Sequence, residues 1–106
     1  MAQPHRYIFA TLVIALLLAA CATTAPEFTQ GKHLMEDGKV DEGLVVLEKL
    51  ANKNPKNAEY RSYYFRQREA AVQAWLAQAD DARRLAETDQ AVKIYQHIQL
   101  VDKGNR

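Results

Sequence analysis

The chain has 106 residues, a formal net charge of +1 and 48% hydrophobic residues. Near-neutral charge gives no global electrostatic footprint for nucleic acid or for an anionic membrane surface, and the length allows one small core. The single cysteine excludes a disulfide framework and a cysteine-based zinc site.

The hydrophobicity is unevenly placed, with 15 of the first 20 residues apolar. Residues 1–20 begin with a short polar stretch carrying His5 and Arg6, continue with an apolar run from Tyr7 to Ala20, and end in small residues before Cys21. The run is 14 residues long, whereas a bilayer-spanning helix needs roughly 20, so it reads as the apolar region of an export signal. Leu18-Ala19-Ala20-Cys21 resembles the lipobox of bacterial lipoproteins, which implies cleavage before Cys21 and lipid modification of its thiol. The alternative is an ordinary cleavage site with an incidental cysteine nearby. A diacylglycerol thioether plus an amide-linked acyl chain, at about 0.8 kcal/mol per buried CH₂, would make attachment effectively permanent. With Ala22, not Asp, after the cysteine, analogy with Gram-negative sorting implies an outer-membrane anchor facing the periplasm.

Residues 21–26 are small and polar with one proline and read as a lipidated tether. The region 27–105 is expected to be all-α, since no stretch alternates with period two. Residues 24–57 lay without a gap on the tetratricopeptide pattern of 34 residues. Gly31, Leu34, Gly38, Asp41-Glu42-Gly43, Leu47, Leu50 and Pro55 occupy the matching positions. Gly31 and Gly43 let two antiparallel helices approach, and Leu34, Leu47 and Leu50 fill the seam. Gly38 ends the first helix with a residue capable of positive φ, and Pro55 closes the second. The family usually has alanine where Gly43 stands, so this repeat is expected to be softer by up to about 1 kcal/mol.

A second match spans 72–105, with Trp75, Ala79, Ala82, Ala91, Tyr95 and Ile98 on the pattern positions. Residues 58–71 are then an insertion of nearly four helical turns. No Gly or Pro occurs between Lys56 and Lys103. The reading is one long helix over 58–85, about 40 Å long, with Tyr60, Tyr64, Ala71, Trp75, Ala79 and Ala82 on its apolar side. Glu87-Thr88-Asp89 supplies the turn and cap, and a last helix covers Gln90 to Val101.

No residue constellation supports catalysis, a metal site or a cofactor, and the chain is read as a non-enzyme. His33 and His97 stand on different helices, and Asp80-Asp81 with Arg83-Arg84 read as a solvated face. The densest aromatic cluster is Tyr60, Tyr63, Tyr64 and Phe65. One reading is a packing patch. The other is a protein contact at Tyr60, Tyr63 and Phe65, rimmed by Arg61, Arg66 and Arg68, because aromatics and arginine are favoured at interfaces. Tetratricopeptide proteins usually bind peptides along their first helices. The matching positions here are Phe28, Lys32, Met35 and Glu36, then Gln73, Leu76, Asp80 and Arg83.

The lipobox, the tether, the repeat from Phe28 to Pro55, the segment Asn57-Ala58-Glu59-Tyr60-Arg61 and the helix Arg66 to Leu85 together resemble a narrower family. It is the amino-terminal region of outer-membrane secretins of the general secretion pathway protein D type. The resemblance implies a lipid-anchored interaction module of a type II secretion or type IV pilus system, whose partners are other proteins of that machine. It implies a homo-oligomer where the chain belongs to a secretin, and no nucleic-acid partner. It also implies that the chain is the first part of a longer protein, because two repeat units without a capping helix fall short of the roughly three that a solenoid needs. The alternative is a free-standing tetratricopeptide lipoprotein acting as an assembly factor or pilotin.

Overall fold

The computed structural model describes residues 24–103, and these are all-helical, with four α-helices and no strand. The export signal, Cys21 and the start of the tether lie outside the described residues. Helix α1 spans Pro26–Glu36, α2 Val40–Lys53, α3 Ala58–Arg84 and α4 Thr88–Lys103. They form two antiparallel hairpins, α1–α2 and α3–α4, joined by packing of α2 on the first half of α3.

Each boundary has a local cause. Pro26 opens α1, where its missing N–H is not needed and its fixed φ suits a first turn. Gly38 ends α1 at φ +79°, with Lys39 N–H donating to Leu34 O at 2.9 Å and Gly38 N–H to Met35 O at 3.2 Å. These two bonds satisfy carbonyls that the helix end would leave open. Asn57 caps α3 by accepting from Tyr60 N–H at 3.1 Å. At the far end of α3 the same two-bond closure recurs, from Glu87 N–H to Ala82 O at 2.8 Å and Ala86 N–H to Arg83 O at 3.1 Å. Here the left-handed residue is Ala86, at φ 59°. This closure reverses the chain so tightly that α4 begins at Thr88, two residues before the expected start, and Thr88 and Asp89 belong to its first turn.

The core lies in the α1–α2 hairpin and its junction with α3. Phe28, Leu44, Leu47, Leu50, Ala51, Tyr64 and Ala71 are buried together. The approach of α1 to α2 is set by two glycines. A Cβ on Gly31 would stand 2.6 Å from Leu47 Cδ2, and one on Gly43 would stand 2.6 Å from Met35 Sδ and 3.3 Å from Leu34 Cβ. At Gly43, as at Gly31, the missing methyl admits the facing side chains at this spacing, as the repeat pattern implies.

The α3–α4 hairpin has a thinner seam made mainly of alanine, with Ala79, Ala82, Ala91 and Ile98 buried. The apolar side expected for α3 faces inward along its whole length, with Tyr64, Ala71, Ala79 and Ala82 buried and Tyr60 and Trp75 half-buried. Because α3 continues past α2, α4 turns back along its second half and brings its last turns to the start of α2. Leu100 and Val101 there share a hollow with Asp41, Leu44, Val45, Glu48 and Tyr64. His97 Nε2 lies 2.8 Å from Asp41 Oδ1 across the same junction, with the Trp75 ring edge-on to the imidazole at 4.6 Å between centroids.

Candidate functional site

Helical spacing divides the aromatic cluster on α3 into inward and outward members. Residues 60, 63 and 64 are separated by three and four and share one side, whereas residue 65 leaves it. Tyr60 and Tyr63 close over Phe28, with ring centroids at 4.8 Å and 5.3 Å. Tyr60 also accepts the Ala25 N–H through its hydroxyl at 3.3 Å, fixing the start of α1 to the start of α3. Tyr60 and Tyr63 are half-buried packing residues, so the packing reading describes them better than the contact reading does.

Phe28 is 2% exposed. The repeat pattern puts it on a peptide-facing surface, but the structure withdraws it into the core, because the two tyrosines one turn apart on α3 cover its ring. Lys32 places its Nζ 4.1 Å from the Phe28 centroid and 5.5 Å from that of Tyr63, capping the cluster as a cation over aromatic faces. Met35 is half-buried against Gly43. The first-helix surface is thus largely taken up by internal contacts.

Phe65 is the member that projects, at 45% exposure. Arg61, Phe65 and Arg68 follow at steps of four and three and form a stripe on one side of α3. The Arg68 guanidinium carbon lies 5.3 Å from the Phe65 centroid and 6.0 Å from that of Tyr64. Arg68 Nε is buried without a hydrogen-bond partner among the described residues. Arg66 is exposed but sits one position beyond Phe65, so it flanks the stripe rather than belonging to it. Val45 and Leu100 are also exposed large apolar residues, at 50% and 68%. They border the hollow floored by Tyr64, whose ring lies 5.4 Å from that of Phe65. This apolar margin was not anticipated, because it depends on where α4 ends against α2.

Burial raises the Tyr64 hydroxyl pKa above its ordinary value of 10.0, and the neighbouring Glu48 carboxylate raises it further, while Arg68 pulls it down. A raised pKa in the folded state supplies stability that is present below pH 10 and is lost as pH climbs through the folded value. Urea unfolding of Tyr64→Phe is therefore expected to show a shallower loss of stability above pH 10 than the parent chain. Identical alkaline slopes would contradict the burial of the Tyr64 hydroxyl beside Glu48.

Some of the remaining titratable groups form pairs at the surface. Arg83 meets Asp80 at 3.6 Å, Arg84 meets Asp81, and Gln73 Nε2 donates to Glu69 Oε1 at 3.2 Å. Leu76 is half-buried, and Gln73, Asp80 and Arg83 are exposed. His33 has an acidic neighbour three residues on, Glu36, at 3.7 Å, and His97 has Asp41. Neither pair gains a third ligand, and no group of three or more His, Cys, Asp or Glu is placed to hold a metal among the described residues. No described helix is long and apolar enough to cross a membrane.

The fold and site define a small all-α protein of two stacked helical hairpins with an aromatic and basic stripe at their junction. No family model, no curated protein and no solved structure matches the chain.

Proposed function

We propose that the chain is a lipid-anchored periplasmic interaction module of the tetratricopeptide type. Its anchor is Cys21 in the outer membrane, and its working surface is the Arg61, Phe65 and Arg68 stripe with the Val45 and Leu100 margin. The observation that carries the reading is the sequence Leu18-Ala19-Ala20-Cys21 standing five residues ahead of Pro26, where α1 begins. The hairpins support it through the glycine-spaced approach of α1 and α2, which suits the repeat pattern over 24–57. The finer reading follows the resemblance to secretins and makes the chain the amino-terminal part of a secretin-type component of a type II secretion or type IV pilus system.

An exposed phenylalanine stacked by arginine presents a large, rigid contact with charged donors at its edge, the composition favoured where one protein docks on another. A photo-crosslinking amino acid at Phe65, expressed in the native host, is expected to yield a discrete protein adduct. The same probe at Lys93, on the exposed side of α4, should yield much less. Equal crosslinking at both positions, or none at either, would contradict a docking role for the stripe.

A further inference from the structure

The near-neutral total charge conceals a polarised hairpin. Ala25 and Glu27 share a hollow with Lys49, Lys53 and Asn54 at the end of α2, and the Ala25 bond to Tyr60 brings the start of α3 to the same place. The exposed charges at this tether end are Lys49, Lys53, Lys56 and Arg61 against Glu27 and Glu59. The opposite, turn end carries Glu36, Asp37, Asp41 and Glu42 against Lys39, and the last turn of α4 that reaches it adds Asp102 and Lys103, which cancel. The tether end is therefore net positive and the turn end net negative. The positive dipole ends of both α1 and α3 also open at the tether end, against the single negative end of α2.

Sequence length ties the basic end to the anchor. Four residue steps separate Cys21 from Ala25, and an extended chain covers at most about 14 Å in that distance. A tether no longer than that lets the basic end approach to within the Debye length of about 8–10 Å, where basic side chains feel a charged surface.

We propose that the tether end of the α1–α2 hairpin docks, through Lys49, Lys53 and Lys56, on the anionic phospholipid headgroups of the leaflet that holds the lipid. The inference rests on the lipid-anchored reading and adds an orientation to it. The turn end, with its carboxylates, is held away from the surface by repulsion. The long axis of α3 then carries the Phe65 stripe and the α3–α4 turn outward, where a partner can reach them.

The test is lysine acetylation of the mature protein in two kinds of vesicle, phosphatidylcholine alone and phosphatidylcholine with phosphatidylglycerol. Rates are read residue by residue by mass spectrometry. With phosphatidylglycerol present, acetylation of Lys49, Lys53 and Lys56 is expected to slow by about fivefold relative to Lys39, Lys93 and Lys103, the scale of one ordinary attraction per lysine. High salt should restore it. Unchanged relative rates in a protein whose intact mass shows the acyl chains would overturn the docking while leaving the anchor standing. An intact mass without acyl chains would overturn the anchor and the docking with it.

Discussion

Phe28→Ala lowers the unfolding free energy by about 3–5 kcal/mol. The ring is 2% exposed and is enclosed by Tyr60, Tyr63 and Lys32. Truncation removes its buried apolar area and leaves a cavity that the backbone cannot readily close, because the Ala25 bond to Tyr60 holds α1 and α3 at their present spacing. A fold of this size has roughly 0.05–0.15 kcal/mol of stability per residue, so the loss is a large share of the total. Urea unfolding followed by helical circular dichroism is expected to show a large drop in midpoint with the slope unchanged. Phe65→Ala, on the exposed side of α3, is expected to move it by no more than about 0.5 kcal/mol. Similar losses in the two variants would mean that the inward and outward members of the cluster are wrongly assigned.

The second large effect is Leu47→Ala, expected to cost about 2–5 kcal/mol. Leu47 is 1% exposed, and its Cγ and Cδ2 occupy the space that a Cβ on Gly31 would need, at 2.7 Å and 2.6 Å. Gly31→Ala alone forces Leu47 or the α1–α2 spacing to shift and costs about 1–3 kcal/mol, partly offset by the better helix propensity of alanine. The two substitutions share one volume, so they should not add. The double variant is expected to be more stable than the sum of its singles predicts by about 1 kcal/mol or more. Simple additivity in equilibrium unfolding would show that the helices are not held at the glycine-determined distance.

Much of this was legible in the chain. The long helix followed from the absence of Gly and Pro between Lys56 and Lys103 and from inward spacing that holds from Tyr60 to Ala82. Gly38 could be placed at a helix end because positive φ is cheap for glycine alone. Other features were not local. The start of α4 was placed late because Thr88 and Asp89 resemble caps, whereas the closing turn at Ala86 lets them enter the helix. Phe28 sits at a position that the repeat pattern puts on the peptide-facing side, and only the packing of Tyr60 and Tyr63 shows that it is covered. His97 and Asp41 are 56 residues apart, and their meeting depends on the length of α3 and the turn that follows it. No periodicity in either segment encodes that contact. The close-approach role of Gly43 was legible in the repeat pattern, but its neighbours Met35 and Leu34 across the seam follow only from the packing.

Lipid attachment determines whether the hairpins work at a membrane. The most direct measurement is the intact mass and amino-terminal sequence of the protein recovered from its native host, with and without labelled palmitate. The account predicts a mature chain beginning at Cys21, carrying acyl chains on its thiol and its amine, with labelling abolished in Cys21→Ser. A chain with a free Cys21 thiol, or equal labelling of the serine variant, would contradict it.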